Sequence, residues 1–270
     1  MSPAARPLLK WAGGKRQMLS AIAPHIPPRW ERYIEPMIGG GALFFALAPQ
    51  RALIADSNPE LINFYRTVVS DLPELVAKYE SWAFDEKTFY ELRALKFCEL
   101  DSATAAARLL YLNRSCFNGL YRVNRNGDFN VPWGKYKRPY KIDIGRFEVA
   151  KDVLRRARIE LGDFSDLLRA EAKEGDLVFL DPPYVPISNH SDFKRYTRQQ
   201  FHAADHIRMA ELVRELTGRG CHVLVTNSNH PLVHDLYRGY HIEVVPTKRN
   251  VNSQGHGRSG EDVIINVKRS

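Results

Sequence analysis

Two rhythms of apolar residues alternate along most of this chain: short solid runs, and stripes spaced three and four apart. Tyr33-Ile34-Glu35 reads as a short strand, Pro36 to Gly41 as a glycine loop, and Ala42 to Leu47 as an apolar helix. Leu53-Ile54-Ala55 is a second buried run, closed by Asp56. Leu61, Phe64, Tyr65 and Val68 fall at i, i+3, i+4 and i+7, and Ala103 to Leu112 are good helix formers, so Asn58 to Leu112 is predicted to be helical. Leu177 to Leu180 is a solid run again. Met209, Leu212, Val213 and Leu216 then mark a helix face that stops at Gly218 and Gly220. Val223 to Val225 reads as a strand, Pro231 to Tyr237 as a helix, and Ile242 to Val245 and Val263 to Val267 as strands joined by the polar stretch 248–260. Alternating buried strands and helices predict an α/β fold, a doubly wound, mostly parallel sheet covered on both faces.

Charge departs from this rhythm in one place. Between Asn113 and Lys141, Arg114, Arg122, Arg125, Lys135, Lys137, Arg138 and Lys141 face a single acid, Asp128, so this stretch holds +6 of the net +8. Phe117, Tyr121, Phe129, Trp133, Tyr136 and Tyr140 are interleaved with them. Cations for phosphates and rings for bases predict a nucleic-acid surface. Arg122 to Arg125 and Asp128 to Val131 flank Asn126-Gly127, a two-residue hairpin signal. A ribbon of this kind fits the major groove, where an arginine bonds bidentately to guanine.

Candidate chemistry sits at the strand ends. Asp181-Pro182-Pro183-Tyr184 follows the run Leu177 to Leu180. Proline fixes φ and donates no hydrogen bond, so this turn is a stiff clamp with acceptors to offer. Asp181 and the Pro182 carbonyl suit the two hydrogens of an exocyclic amino group, with Tyr184 stacked on its ring. Such acceptors stabilise the positive charge that builds on the nitrogen during attack. Near the N-terminus, Gly39, Gly40 and Gly41 let the backbone bend and approach a ligand closely. Asp56, 21 residues after Glu35 and at a strand tip, suits ribose hydroxyls. Lys10-Trp11-Ala12-Gly13-Gly14-Lys15 is not a phosphate-binding loop, because Arg16 stands where a hydroxyl belongs and no strand precedes it.

These motifs, in this order and over nearly the whole chain, resemble the Dam-type, alpha-ordered D12 class of DNA adenine-N6 methyltransferases. The resemblance implies a class I methyltransferase sheet with a reversed final strand. It implies S-adenosyl-L-methionine as methyl donor, held by Trp11, Lys15, Glu35, Pro36, Met37, Gly39, Gly41, Asp56, Asp163, Phe164 and Asp181. Met37 departs from the family's usual Phe, and its adaptable side chain alters packing there. Asp181, Pro182, Pro183 and Tyr184 are the implied catalytic group, acting on adenine N6 of a base flipped from double-stranded DNA. The run Cys116 to Arg122 resembles the family's recognition hairpin, which implies that Arg122 reads a guanine of GATC. Asn118, Leu120 and Tyr136 then wedge or replace the flipped base, and Lys10 contacts the first guanine. Asn126, Pro132, Lys135, Lys137 and Arg138 complete the expected DNA surface, with Lys135 where the family often has Arg.

The expected layout is a discontinuous catalytic domain, 1–57 and 147–270, with a helical recognition subdomain inserted at 58–146. No apolar stretch approaches the length of a membrane span, and no signal-peptide pattern opens the chain. The scattered Cys98, Cys116 and Cys221 suit a reducing, intracellular setting, and the resemblance implies the cytoplasm of a bacterial or phage-infected cell. A monomer is expected. The pairs His202/His206 and His230/His234 lack a completing motif, so no metal site is expected. Two alternatives use the same residues: a cytosine-N4 or RNA amino-methyltransferase, and a DNA-binding module with a decayed catalytic fold.

Overall fold

The structure is a computed structural model that describes residues 5–11, 13–124, 126–186, 201–248 and 259–267. Ala12, Arg125 and most of the polar connection 248–260 lie outside the described residues. The strands are β1 (Tyr33–Glu35), β2 (Ala52–Asp56), β3 (Ala157–Leu161), β4 (Leu177–Leu180), β5 (His222–Ser228), β6 (His241–Lys248) and β7 (Ser259–Val267). The helices are α1 (Leu19–Ile22), α2 (Ala42–Leu47), α3 (Pro59–Ser70), α4 (Leu72–Ser81), α5 (Glu86–Ala94), α6 (Ser102–Ser115), α7 (Ile144–Leu154), α8 (Phe164–Glu171), α9 (Ala203–Gly218) and α10 (Pro231–Leu236). The strands form one sheet in the order β3-β2-β1-β4-β5-β7-β6. β7 runs antiparallel to both β5 and β6, which is the reversed final strand. This is the α/β, class I methyltransferase arrangement that the sequence predicts.

The chain divides into two compact units. One takes in residues up to Gly14 and Ile38–Gly162; the other takes in Lys15–Met37 and the described residues from Asp163 onward. The expected insert 58–146 lies wholly inside the first unit. That unit is wider than the insert because α3 also packs on β2, β3 and α7.

In the first unit β2 and β3 pair in parallel, from Ala52 with Ala157 to Asp56 with Leu161. The helices that follow start on acidic or amide caps. Asn58 accepts from Glu60 and Leu61 N–H groups, and Asp71, Asp85 and Asp101 do the same for α4, α5 and α6. Each such cap satisfies a backbone donor that the first turn of its helix leaves unpaired. α6 is buried nearly all round and forms the centre on which α3, α4 and α5 pack. Its one buried arginine, Arg108, pairs with Glu60 at 3.0 Å and donates to the Leu92 carbonyl at 2.7 Å, so the charge is compensated.

In the second unit β1 pairs with β4 and β4 with β5, all parallel. β4 is buried at every position, as expected of a central strand covered on both faces. The register sets Leu180 opposite Val225, so Asp181, the first residue past β4, stands beside Thr226, which is still within β5 and paired with β7.

Candidate active site and nucleic-acid surface

The proline turn after β4 is fixed from several directions within its unit. Asp181 Oδ1 accepts from the Thr226 hydroxyl at 2.8 Å and from the Lys15 ammonium at 2.6 Å. Lys15 is buried, and its ammonium lies 4.5 Å from the centre of the Tyr184 ring. Two donors on one oxygen orient the other, Oδ2, as the remaining acceptor edge. Beyond the prolines, Val185 N donates to Asn227 Oδ1 at 3.1 Å, and the Ser228 hydroxyl donates to the Val185 carbonyl at 2.8 Å. Thr226, Asn227 and Ser228 are fully buried at the end of β5. The strip from Asp181 to Val185 is therefore held by three consecutive polar residues of the neighbouring strand. Pro182 is buried, whereas Pro183 and Tyr184 are half-buried.

Glu35 closes β1 in the same unit, buried, and accepts from the Tyr33 hydroxyl at 2.8 Å. Burial, with Glu35 and Asp181 nearby, holds the Tyr33 phenol well above its ordinary range. Pro36 is buried and Met37 half-buried. Asp163 caps α8 through Ser165 N at 2.9 Å and accepts both arms of Arg208 at 3.0 Å. The same guanidinium lies 4.5 Å from the centre of the Phe164 ring, so Arg208 holds Asp163 and Phe164 together.

The glycine loop belongs to the other unit from Ile38 onward. Gly39 has φ +46° and Gly41 φ +66°, both left-handed, where a side chain would be strained. A Cβ on Gly39 or Gly40 would come within 2.8 or 2.9 Å of Trp11, so the indole lies directly on the loop backbone. Trp11 also stacks on Tyr121, with centroids 5.0 Å apart. Asp56 accepts from Gly39 N at 3.0 Å through one oxygen and from Asn58 N at 2.9 Å through the other. Burial raises its pKa to about 6, against the lowering effect of the Gly39, Asn58 and Ser57 amides. Each oxygen keeps a lone pair for an incoming hydroxyl.

Lys10 is placed by Asn113, a fully buried residue of α6. Asn113 Oδ1 accepts from Lys10 N at 2.8 Å and its amide donates to Lys10 O at 2.7 Å, mimicking a strand partner. The Lys10 side chain crosses Gly119, where a Cβ would stand 2.2 Å from it, and its ammonium lies 5.0 Å from the Tyr136 ring centre. Asn118 and Lys135 both adopt left-handed backbone, at φ 55° and 54°. Non-glycine residues held there concentrate at functional segments. Leu120 is half-buried, while Asn126, Pro132, Lys135, Lys137 and Arg138 are exposed.

Three expectations about the basic segment need correction. First, the hairpin register differs: Asn124 N bonds Asp128 O at 2.8 Å and Asn130 N bonds Arg122 O at 3.0 Å. Three residues, not two, separate the paired ends, because Asn124 Oδ1 accepts from both Asn126 N and Asp128 N and closes a wider turn. Second, the pairing consists of isolated bridges, Val123 with Phe129 and Cys116 with Trp133, not a long ribbon. Third, most of the aromatic rings face inward. Tyr121 and Phe129 are buried, Trp133 packs on Phe84 and Phe89, and Tyr140 lies under Arg114. Arg114 itself donates to the Leu8 carbonyl, so it is a packing cation. Arg122 stays at the hairpin surface, half-buried, with Nε on Asn130 Oδ1 at 2.7 Å.

Sequence reasoning passed over Asn113, Arg208 and the Thr226 to Ser228 run. Their signal is a polar residue inside an apolar helix or strand, which carries no ligand chemistry of its own. Of the histidines in the two pairs, His206 is buried against Asn227 at 3.5 Å, its pKa lowered to about 4 by burial, and His230 caps α10.

Comparison with known proteins supplies independent findings. Residues 11–251 match the family model described as D12 class N6 adenine-specific DNA methyltransferase. The type II methyltransferase M1.LlaDCHI of Lactococcus lactis subsp. cremoris is 37% identical, over 97% of this chain and 95% of its own. The type II methyltransferase M.MjaIII of Methanocaldococcus jannaschii is 35% identical, over 94% of this chain and 95% of its own. The DNA adenine methylase of Escherichia coli K12 is 32% identical, over 96% and 94%.

Proposed function

Because the chain belongs to the D12 class of N6 adenine-specific DNA methyltransferases, we propose that it methylates adenine N6 within GATC, using S-adenosyl-L-methionine and a flipped-out base. One observation carries the chemistry: the Asp181 carboxylate is held by Thr226 and Lys15 on one oxygen at the end of β4, with Tyr184 beside it.

The residues present fit the cofactor. Asp56 offers acceptors to ribose hydroxyls, the glycine loop and Trp11 offer a flat close surface, and Glu35 offers a carboxylate to an amino-acid ammonium. Asp163 and Phe164 are the proposed contact for the cofactor's adenine, and Pro36 and Met37 are assigned to the same cofactor. When bound, S-adenosyl-L-methionine supplies an electrophilic methyl group.

N6 is unreachable inside a duplex, so the target base leaves the stack. Tyr184 receives its ring. Asp181 Oδ2 and the Pro182 carbonyl accept the two amino hydrogens, which pulls the nitrogen toward a tetrahedral shape. Positive charge grows on N6 as its new bond forms, and the fixed carboxylate stabilises it. The amine becomes acidic only then, so Asp181 need not be a strong base. Arg122 reads a guanine edge, Lys10 the first guanine, Asn118, Leu120 and Tyr136 wedge the opened duplex, and Asn126, Pro132, Lys135, Lys137 and Arg138 face the backbone. The named type II relatives support a place in restriction-modification.

Mapping methylation on plasmid DNA from a methylation-deficient host tests this reading. Modification confined to the adenine of GATC is expected after incubation with enzyme and cofactor. Methylated adenine in another sequence would overturn the specificity, and dependence on a different methyl donor would overturn the cofactor assignment.

A further inference from the structure

A second cluster of chemically capable side chains lies outside the clamp and the glycine loop. His25, His241 and Glu243 bring their ligating atoms within 4.8 Å of one another. His241 and Glu243 are i and i+2 on β6, the last strand in the sheet order, so their side chains share one face. His25 comes from the 3-10 turn Ala23–His25 and is buried. Its Nε2 stands 2.7 Å from Glu243 Oε2, and its ring centre 6.0 Å from that of His241. Its other nitrogen, Nδ1, is 3.1 Å from the Asn266 amide, on the β7 residue paired directly with His241.

We infer that these three residues form a binding site for a divalent transition ion, with zinc as the best match. Two imidazoles and a carboxylate make a His2Glu set, which leaves one tetrahedral position for water. Tetrahedral bonds of roughly 2.0–2.2 Å place donors about 3.3–3.6 Å apart, so the three ligating atoms, now within 4.8 Å of one another, would have to adjust around the ion. The Asn266 contact matters because a ligating histidine needs its second nitrogen fixed. With the amide turned to present oxygen, Asn266 accepts from Nδ1–H and leaves the Nε2 lone pair for the metal. A plain His25–Glu243 ion pair accounts for neither the i, i+2 placement of His241 nor the buried amide behind His25. The ion would clip the N-terminal 3-10 turn to β6, a structural role that uses no residue of the proposed reaction.

Calorimetric titration of ZnCl2 into chelator-stripped full-length protein, paired with thermal unfolding, tests the site. One equivalent should bind and raise Tm. His241→Ala with Glu243→Gln should weaken that event by roughly 100-fold or more and abolish the Tm rise, and Asn266→Ala should weaken it by roughly 10–100-fold. The control pair His202→Ala and His234→Ala should leave it intact. His241 is exposed, so His241→Ala alone is expected to keep the fold, checked by circular dichroism. Absence of a one-to-one event in the unmutated protein, or equal affinity in His241→Ala/Glu243→Gln, would overturn the proposal.

Discussion

Asp181 carries two donors on one oxygen, and this asymmetry makes Thr226 a position of consequence. Its hydroxyl is buried, is set beside Asp181 by the strand register, and donates at 2.8 Å. A hydrogen bond to a charged group contributes roughly 1.5–3 kcal/mol. Thr226→Val should therefore lower kcat about ten-fold with little change in cofactor affinity, and Thr226→Ser should restore it. Equal kcat in the unmutated and Val enzymes would remove Thr226 from the reaction. Asp56 makes a different prediction. Its pKa of about 6 means that it gains a proton as pH falls below that value, which in its proposed role would leave ribose a weaker acceptor. Cofactor affinity should fall between pH 7 and pH 5, and Asp56→Asn should flatten that dependence; calorimetry at three pH values would decide it. Asp181, Glu35 and Asp56 were legible in the sequence because each ends an apolar run with a charge. Thr226 and Asn113 were not, because their contacts arise only when distant segments come into register.

At the scale of elements, the glycine loop and the hairpin teach opposite lessons. Pro36 to Gly41 is readable because three glycines before an apolar helix have few other uses, and the left-handed Gly39 and Gly41 meet that expectation. Asn126-Gly127 correctly marks a turn, yet Asn124 captures two backbone amides and shifts the pairing by a residue. Composition also cannot say which way a ring points, so Tyr121 and Phe129 read as base-stacking residues although they pack inside. Arg122 stays at the hairpin surface, half-buried and steadied by Asn130. Arg122→Ala should shrink the preference for GATC over guanine-substituted sites by roughly ten-fold or more, from the 1–3 kcal/mol of a bidentate guanine contact. Asn130→Ala should move the ratio in the same direction by less. A uniform loss on every sequence would make Arg122 a phosphate contact instead.

For the whole molecule, half-buried Asp56 and buried His206 contribute opposing acid responses. Asp56 has a folded pKa raised to about 6, so its contribution to stability is present at low pH and is lost as pH rises through about 6. His206 has one lowered to about 4, so the unfolded chain takes up a proton first and stability falls as pH drops from 6.5 toward 4. Denaturant unfolding should show a steeper acid loss in Asp56→Asn and a shallower one in His206→Leu; parallel curves would contradict both assignments. The central claim, that the clamp at the end of β4 moves a methyl group to adenine N6, has a direct test. Unmethylated duplex DNA is incubated with S-adenosyl-L-methionine and either the unmutated enzyme or Asp181→Ala, digested to nucleosides and quantified by mass spectrometry. The unmutated enzyme should yield N6-methyldeoxyadenosine, and Asp181→Ala should yield none while still folding and binding DNA. Methylated cytosine in place of adenine, or undiminished product from Asp181→Ala, would contradict the account.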